Sequence, residues 1–331
     1  MGDPAGISAE VVIKAFVALE RGNQPLAQEI RHALRKQRAN LSVVGDAGVL
    51  ADAARRLRQS VPIALLDALP TSWVPPDVIW LFAHSQIDMR RFRFGVPAYG
   101  REQLGYLDFA IDQAKRRRIA AIVTGPVTKE AVAALHPDFV GHTGYLAEKL
   151  GARHERMAFL TPEYLLALQT THIPLAQVSS QLKPAALLTS LKMLHETGRA
   201  RWGGKLPVAV LGLNPHAGEH GLMGDEEARI IVPAMRRARR LGIACDGPFP
   251  ADSFFIERVK QYKLILAMYH DQGLIAVKPA FPRASVNVTL GLPVVRTSVD
   301  HGSGYDIAGK GIASEVSLLC AIKAALELIA G

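Results

Sequence analysis

Three histidines stand at the ends of apolar stretches that are typical of buried strands. His172 ends LLALQTTH, His216 ends VAVLGLNPH and His270 ends LILAMYH. Ligands in open α/β sheets bind beyond the carboxyl ends of the strands, so we expect the three side chains to face one crevice. Three neutral imidazoles suit a divalent metal such as Zn²⁺ and leave a position open for a substrate. Such histidines can instead cap backbone carbonyls, but the repetition favours metal binding.

A second group of residues is suited to binding an anion. Lys278 lies in GLIAVKPAF, Asn287 in VNVTLG and Arg296 in PVVRTS. The stretch GHTGYLAEKL places His142 and Thr143 at a predicted helix start, where free backbone N–H groups favour phosphate or carboxylate. Each of these residues alone could be an ordinary surface residue. Arg296 is the exception, because a half-buried arginine needs an acidic partner or a ligand.

The motifs of common nucleotide-binding folds are absent from the sequence. No GxGxxG follows a strand, so there is no classical Rossmann fingerprint. GYDIAGKG resembles a P-loop through Lys310 but has Gly311 where a magnesium-binding Ser or Thr is required. The Gly-rich segment 300–314 can still bring backbone N–H groups close to a ligand. Because it contains His301 and Asp306, we predict that it binds a ligand, the alternative being a flexible surface turn.

Charge and composition narrow the classes of protein to which the chain can belong. The chain has 331 residues, of which 49% are hydrophobic, and this length predicts about two domains. Its net charge of +9 fits an anionic ligand or weak nucleic-acid affinity. The basic clusters at 31–38, 115–118 and 236–240 are typical of solvated helix faces, and an aromatic content of 6% offers few stacking platforms for bases. We therefore favour the solvated faces over nucleic-acid binding.

Several features predict a cytoplasmic protein. No apolar run approaches the ~18 residues that span a bilayer, and the first residues lack the pattern of a signal peptide. The two cysteines, Cys245 and Cys320, cannot form a disulfide framework and suit a reducing compartment. The opening MGDPAGI is typical of a loop that follows a strand, so we expect the natural start to lie upstream of Met1.

Helical and strand-like segments alternate along the chain, which predicts an α/β fold with a largely parallel sheet. Residues 67–78 form the most turn-rich stretch and are expected to be a surface loop. Helices are predicted over 8–19 and 48–59, and strands over 41–46, 120–125, 163–172, 207–216 and 263–270.

The motifs taken together resemble the 4-hydroxythreonine-4-phosphate dehydrogenase family. They appear in order from residue 2 to about residue 314: GDPAGI, TGPVTKEA, GHT, TTHIPL, GLNPHAGE with GDEE, GPFPADSFF, MYHDQG, VNVTLGLP and RTSVDHGS. The Gly-rich C-terminal segment also resembles the adenine-binding loop of isopropylmalate dehydrogenase. The resemblance implies an isocitrate/isopropylmalate dehydrogenase-like α/β fold, in which two domains, 1–125 plus 285–331 and 126–284, flank a cleft.

The resemblance also implies a homodimer whose active site is shared between subunits, with no nucleic-acid or membrane partner. The implied divalent metal is Zn²⁺, with Mg²⁺ or Co²⁺ as alternatives, and its ligands are His172, His216 and His270. The implied substrate-binding residues are His142, Thr143, Lys278, Asn287 and Arg296. The implied cofactor is NAD or NADP, for which the Gly-rich segment offers His301, Gly302, Ser303 and Asp306. The residues assigned to catalysis are His270 and Lys278, with Asp252 and Asp271 as candidates for orienting a ligand or handling a proton.

The implied reaction is oxidation of the C3 hydroxyl of 4-phosphohydroxy-L-threonine, with hydride transfer to NAD and decarboxylation of the 3-keto acid to 3-amino-2-oxopropyl phosphate. Three positions depart from the family pattern. Gly144 stands where relatives commonly carry Glu after GHT, Gly304 replaces the usual Ala, and Ser8 replaces a Gly. Gly144 removes a carboxylate beside the expected phosphate site. It therefore leaves 4-phospho-D-threonate, 4-phospho-D-erythronate and aromatic cis-dihydrodiols as alternative substrates.

Two other classes of function stay open at this point. A non-catalytic anion- or nucleic-acid-binding protein would explain the basic clusters but not the three strand-end histidines. A metal hydrolase could use the same histidines with water as the nucleophile. Production of reduced nicotinamide distinguishes the dehydrogenase from the hydrolase.

Overall fold

The computed structural model describes residues 1–139 and 141–330, which form two compact units. Unit 1 comprises Met1–Ala152 and Leu292–Ile329, and unit 2 comprises Arg153–Gly291 with the C-terminal Ala330. Residues 126–152, which the sequence assigned to the second domain, group with unit 1, and residues 285–291, which it assigned to the first domain, group with unit 2. The reason is packing, because Val132, Tyr145 and Leu146 share a buried cluster with Leu107 and Ile122.

Helices and strands alternate through both units, which confirms the predicted α/β class. The strands are β1 (Ser42–Asp46), β2 (Ile63–Leu65), β3 (Ile79–Ser85), β4 (Ala121–Thr124), β5 (Arg156–Leu160), β6 (Leu165–Leu168), β7 (Val208–Leu211), β8 (Cys245–Phe249), β9 (Leu264–Ala267), β10 (Val286–Leu290) and β11 (Val295–Ser298). The helices are α1 (Ser8–Arg21), α2 (Pro25–Gln37), α3 (Ala47–Arg56), α4 (Gly100–Lys115), α5 (Lys129–Ala133), α6 (His142–Leu150), α7 (Val178–Gln181), α8 (Pro184–Trp202), α9 (Val232–Arg240), α10 (Ala251–Glu257), α11 (His270–Ala280) and α12 (Val316–Ile329).

Unit 1 contains a parallel three-stranded sheet, in the order β1-β3-β2, and the parallel strands β4 and β11 of a larger sheet. Its main core lies among α1, α2, α3 and α12, where Ile13, Phe16, Leu50 and Leu319 are almost completely buried. Helix α1 ends at Gly22, whose left-handed φ of 58° allows its N–H to donate a hydrogen bond to the carbonyl of Ala18.

Unit 2 contains six strands in the order β10-β5-β6-β9-β7-β8. The strands β6, β9, β7 and β8 run parallel, whereas β5 is antiparallel to both of its neighbours. Every residue of β6, β7 and β9 is buried, as expected of parallel strands covered on both faces. Largely parallel pairing was thus correct for the centre of this sheet, and β5 makes the sheet mixed.

A tight turn causes the antiparallel pairing of β5 with β6. The hydroxyl oxygen of Thr161 accepts hydrogen bonds from the backbone N–H groups of Glu163 and Tyr164, at 3.2 and 2.9 Å. The N–H of Thr161 also bonds to the carbonyl of Tyr164 at 2.9 Å. A hairpin this short reverses the chain within four residues, so the two strands lie side by side in opposite directions.

The three basic clusters lie on helices or at their ends. Cluster 31–38 falls in and just after α2, cluster 115–118 at the end of α4 and cluster 236–240 in α9, and most of their Lys and Arg side chains are exposed. Positive charge in the last turns also interacts favourably with the helix dipole. In the described part of the chain, no helix is both long enough and apolar enough to cross a bilayer.

Candidate active site

The three predicted ligand histidines follow three neighbouring strands of unit 2. β9 pairs in parallel with β6 on one side and with β7 on the other. Their carboxyl ends therefore lie at one edge of the sheet, and the chain leaves each of them towards His172, His270 and His216. This is the edge at which open α/β sheets bind ligands.

The histidines are not the last residues of the strands, so that part of the prediction was wrong. β6 ends at Leu168, β7 at Leu211 and β9 at Ala267. His172 and His216 have φ values of 51° and 52°, and a left-handed residue cannot continue a strand. His270 instead begins α11. All three histidines therefore lie just beyond the strand ends, His172 and His216 in left-handed backbone and His270 at the start of α11.

His172 and His270 lie together, with ring centroids 5.6 Å apart and planes inclined by 45°. The Nδ1 atom of His270 is 2.6 Å from the Oδ1 atom of Asp271. A carboxylate on Nδ1 orients the ring and favours the tautomer whose Nε2 carries the lone pair, as in many metal-binding histidines. The pair therefore offers two imidazoles and an orienting carboxylate at one point.

His216 lies on a segment with unusual backbone geometry. All five residues 216–220 have left-handed φ values, and only Gly218 among them is a glycine. Left-handed helical backbone costs about 1–2 kcal/mol for each ordinary residue, so surrounding contacts must hold the segment in place. The His216 side chain is 66% exposed, and its Nδ1 lies 3.9 Å from the Oε2 of Glu219.

Glu227, which is only 5% exposed, holds the backbone that leads into this segment. Its carboxylate accepts hydrogen bonds from the backbone N–H groups of Leu213 and Asn214, at 2.7 and 2.8 Å, and from the Asn214 side chain at 2.9 Å. Glu226 also accepts from Asn214 and from Ser179, and these bonds hold the pKa of Glu226 below its usual range. The sequence singled out GDEE as a motif but did not predict this role.

Gln272 connects two of the histidine-bearing segments. Its side-chain oxygen accepts from the N–H of Met268 at 2.6 Å, and its amide donates to the carbonyl of Gly212 at 2.6 Å. Met268 precedes His270, and Gly212 lies between β7 and His216. The side chain thus couples the start of α11 to the end of β7, a role that sequence reasoning missed.

Within residues 1–139 and 141–330, no group of three or more His, Cys, Asp and Glu side chains is arranged to hold a metal ion. The structure brings His172 and His270 together and leaves His216 on the neighbouring segment. The donor chemistry nevertheless fits a divalent metal, because imidazole nitrogen is a preferred ligand of Zn²⁺ and related ions. The three-histidine site stays a prediction.

Arg296 is the most buried of the predicted anion-binding residues, with 3% of its surface exposed. It lies on β11, and its Nη2 donates to the hydroxyl of Thr124 on β4 at 2.8 Å. Burial lowers its pKa to about 10, so the guanidinium remains charged at neutral pH. The expected half-buried arginine is thus a fully buried cation in unit 1.

His142 and Thr143 occupy the first turn of α6, as predicted, and both are half-buried. Burial, and next the positive charge of Arg296, hold the pKa of His142 well below its usual range. The imidazole is therefore neutral at pH 7. A neutral His142, a charged Arg296 and the free N–H groups of a helix start together favour a bound anion.

The low pKa of His142 predicts a pH-dependent stability. An unfolded chain protonates this side chain near its ordinary pKa of about 6.5, whereas the folded chain does so only at lower pH. The stabilisation is complete above pH 6.5 and is lost as the pH falls below it, by at most about 1.4 kcal/mol per pH unit. Urea denaturation between pH 7.5 and 5.5 should show a shallower fall for His142→Gln than for the parent. Identical slopes would contradict the assignment.

The remaining predicted site residues of unit 2 lie near its surface. Lys278 is exposed in the last turn of α11, and Asn287 is half-buried on β10. Asp252 is exposed in the first turn of α10, a helix that contacts segment 215–221. The predicted substrate-binding residues are therefore divided, with His142, Thr143 and Arg296 in unit 1 and Lys278 and Asn287 in unit 2.

The Gly-rich segment of unit 1 is anchored through Ser303. The Ser303 hydroxyl lies 2.7 Å from that of Thr128, which donates to the carboxylate of the fully buried Asp3. The Tyr305 hydroxyl also donates to Asp3, and burial, followed by this bond, raises the pKa of Tyr305. A Cβ at Gly6 would lie 2.5 Å from the carbonyl oxygen of Ser303, so only glycine fits there. The motifs GDPAGI, TGPVT and HGSGY thus meet at one point.

The other predicted cofactor-binding residues differ in their accessibility. Gly302 and Asp306 are exposed, and a Cβ at Gly302 would meet no atom within 4 Å. His301 is half-buried, with its Nδ1 2.9 Å from the carbonyl oxygen of Gly302. Ser303 therefore fixes the segment while its neighbours stay accessible to a ligand.

Comparison with known proteins identifies the family. The family model described as pyridoxal phosphate biosynthetic protein PdxA matches residues 37–325. The chain belongs to the PdxA family. It is thus a dehydrogenase of the family named for pyridoxal phosphate biosynthesis, as the motifs predicted.

Individual relatives of the PdxA family agree with this assignment. A 4-hydroxythreonine-4-phosphate dehydrogenase of Beijerinckia indica subsp. indica is 38% identical, over 99% of this chain and 93% of the relative. A D-threonate 4-phosphate dehydrogenase of Bordetella bronchiseptica is 35% identical, over 100% and 92%. The crystal structure of 4-hydroxythreonine-4-phosphate dehydrogenase from Klebsiella pneumoniae has a TM-score of 0.85 at 32% identity and covers 100% of this chain and 97% of that one.

Proposed function

We propose that the protein oxidises the C3 hydroxyl of 4-phosphohydroxy-L-threonine in a reaction that depends on NAD or NADP and on a divalent metal. The observation that carries this proposal is the arrangement of His172, His270 and Asp271 beyond adjacent parallel strands, in a chain of the PdxA family. In this reaction the C3 hydrogen leaves as hydride to the nicotinamide and the hydroxyl proton passes to a base. The resulting 3-keto acid loses CO₂ to give 3-amino-2-oxopropyl phosphate.

The metal would be held by His172, His216 and His270. When bound there, it supplies Lewis-acid polarisation of the substrate hydroxyl. Asp271 keeps the His270 ring oriented through the 2.6 Å contact with Nδ1, and Gln272 fixes the turn from which His270 projects. Glu227 holds the backbone that leads to His216. Because these side chains hold the surrounding backbone in place, they limit how far His216 must move to complete the set of three ligands.

The anionic ends of the substrate would be bound by the cationic and N–H donors. Arg296 keeps its charge, and neutral His142 can donate or accept a hydrogen bond beside it. Lys278 and Asn287 supply a further cation and an amide, and Asp252 is our candidate acceptor of the hydroxyl proton. The Gly-rich segment, through His301, Gly302, Ser303 and Asp306, would bind the nicotinamide cofactor, which accepts the hydride.

A homodimer is part of the proposal. Large apolar side chains are exposed on the segments of unit 2 that surround the histidines, namely Leu175, Leu222, Ile256 and Ile275. Exposed apolar surface of this kind is typical of an interface with another protein. A partner subunit at this surface would cover these side chains and exclude water from the histidines.

A second candidate substrate is 4-phospho-D-threonate. Gly144 lies in the first turn of α6 beside the predicted phosphate-binding residues, where it presents no carboxylate. The relative from Bordetella bronchiseptica that is named for D-threonate 4-phosphate matches the whole chain at 35% identity. Both substrates carry a phosphate and a secondary alcohol near a carboxylate, so the same catalytic residues would serve either.

Turnover of a small substrate panel tests the proposal. The purified protein is incubated with NAD or NADP, with Zn²⁺, Mg²⁺ or Co²⁺, and with one of 4-phosphohydroxy-L-threonine, 4-phospho-D-threonate or 4-phospho-D-erythronate. We expect absorbance of reduced nicotinamide with the first substrate, abolished by a chelator and restored by the metal. Turnover of 4-phospho-D-threonate alone would favour the second candidate. Silence with every substrate, from folded and metal-loaded protein, would overturn the proposal.

A further inference from the structure

The backbone of Met268 is held by two residues from neighbouring segments of unit 2. Met268 follows β9 and is completely buried. Its carbonyl oxygen accepts hydrogen bonds from the hydroxyl and the N–H of Thr170, at 2.8 and 3.2 Å. Its N–H donates to the side-chain oxygen of Gln272 at 2.6 Å. Thr170 lies two residues before His172, and Met268 lies two residues before His270, so the bonds to Thr170 join the two histidine-bearing segments.

The Gln272 amide bridges β9 and β7 where the two strands stop pairing. Their last paired residues are Leu266 and Val210. Beyond this pair, the amide accepts from the N–H of Met268 and donates to the carbonyl of Gly212, in each case at 2.6 Å. A backbone peptide group between two strands would accept and donate in the same way. The side chain therefore continues the hydrogen bonding between the strands past their last direct pair.

Thr170 extends the contact on the other side of β9. β6 and β9 pair directly as far as Leu168 and Ala267. Just beyond this pair, the carbonyl of Met268 accepts from both donors of Thr170, since a carbonyl oxygen has two lone pairs. One of the two bonds comes from a side-chain hydroxyl, which a valine of the same shape would not supply.

We propose that Thr170 and Gln272 are positioning residues that act through Met268 to hold His172 and His270 at the spacing a metal ion requires. Thr170, Met268 and Gln272 are together called the Met268 brace. The ring centroids of the two histidines lie 5.6 Å apart. Ligands that are already ordered lose less conformational freedom on binding, so the brace raises the affinity for a divalent metal. The inference rests on the proposed function, which includes the metal.

A purely structural role for the brace is the alternative. Buried N–H and C=O groups need hydrogen-bond partners wherever a strand ends, and the bonds to Met268 satisfy that need. With this role alone, loss of the bonds would lower stability and leave metal affinity unchanged. The Zn²⁺ affinity of the folded protein, measured by competition with a chromophoric chelator, separates the two roles.

The first variant to measure is Thr170→Val. It removes the hydroxyl donor, while the backbone N–H at position 170 still bonds to Met268, so the protein should fold. We expect the Zn²⁺ affinity to fall by about 10-fold, as is typical when a group that orients a metal ligand is lost. Thr170→Ser keeps the hydroxyl and should keep most of the affinity. Thr189→Val is the matched control, because the Thr189 hydroxyl also donates to a backbone carbonyl, that of Ala185 on α8 at 3.1 Å. It should leave the Zn²⁺ affinity unchanged.

A second variant, Gln272→Met, tests whether the brace acts as a unit. It removes both hydrogen bonds of the amide and should lower the Zn²⁺ affinity by at least as much as Thr170→Val. Both side chains act through Met268, so the double variant should lose less affinity than the product of the two single losses. A loss equal to that product would show that the two side chains act separately, which would overturn the brace.

These measurements need neither substrate nor nicotinamide. A Thr170→Val protein with the parent's Zn²⁺ affinity would overturn the brace and leave the proposed function standing. The same conclusion would follow if Thr170→Ser bound Zn²⁺ as weakly as Thr170→Val. A parent protein that binds no Zn²⁺ would instead overturn the proposed metal dependence, and the brace with it.

Discussion

Replacing His270 by alanine is expected to abolish stoichiometric Zn²⁺ binding and to lower kcat by about 10³-fold or more, because it removes the best-oriented of the three proposed imidazole ligands. His270 lies 5.6 Å from His172 between ring centroids, and Asp271 holds its Nδ1. Its side chain is partly exposed, so the truncation leaves little cavity and the protein should fold. Metal content by mass spectrometry of the purified protein, with turnover measured in parallel, checks the prediction.

Two variants serve as controls for His270→Ala. Asp271→Asn removes the orienting charge but keeps the ligand, so it should weaken metal affinity by about 10- to 100-fold without abolishing binding. His220→Ala removes an exposed histidine from the left-handed segment that also carries His216, and it should leave metal content and turnover unchanged. A His270→Ala protein that retains full metal content and turnover would remove His270 from the ligand set.

Replacing Arg296 by methionine is expected to lower kcat/KM by about 10³-fold while the protein stays folded. Removing one partner of a desolvated charge pair with an anionic substrate costs about 2–5 kcal/mol of binding energy. We expect the protein to stay folded, because methionine fills a similar volume and carries no charge that must be kept out of water. Thr124 loses the hydrogen bond that Nη2 of Arg296 donates to its hydroxyl at 2.8 Å. Steady-state kinetics and thermal unfolding together measure both parts of the prediction.

Arg156→Met is the matched control for Arg296→Met. Arg156 is partly buried on β5 and donates from its Nε to the hydroxyl of Ser190 at 2.7 Å, outside the candidate site. Its loss should lower thermal stability and leave kcat/KM close to that of the parent. If Arg296→Met retained the parent kcat/KM, the guanidinium would have no part in binding the substrate.

The strands that precede the histidines could be predicted because each is a continuous apolar run. β6, β7 and β9 are buried at every position, and such runs stand out in the sequence. Their ends could not be predicted. The strands end at Leu168, Leu211 and Ala267, several residues before the histidines at which we expected them to end. The left-handed backbone at His172 and His216, which excludes both residues from a strand, cannot be read from the sequence. The antiparallel strand β5 was missed for a related reason, since the hydroxyl bonds of Thr161 that make the hairpin are a three-dimensional feature.

The histidines and the arginine of the candidate site could be singled out from the sequence, whereas the residues that hold them in place could not. Histidines and an embedded arginine are conspicuous by type. Asp3 accepts a hydrogen bond from Tyr305, which lies 302 positions away in the chain, and Gln272 donates one to the carbonyl of Gly212. No spacing rule connects residues so far apart. Glu227 was conspicuous only as part of a motif, and its burial against Leu213 and Asn214 is what gives it a role.

The fate of the hydrogen on C3 tests most directly whether the protein transfers a hydride from its substrate to the nicotinamide. We would supply 4-phosphohydroxy-L-threonine deuterated at C3, with NAD and Zn²⁺, and analyse the reduced nicotinamide by mass spectrometry, with 4-phospho-D-threonate deuterated at the corresponding carbon as the second arm. We expect the deuterium to appear on the nicotinamide ring and a chelator to stop the transfer. Reduced nicotinamide without deuterium, or consumption of both substrates with the label retained in the product, would contradict it.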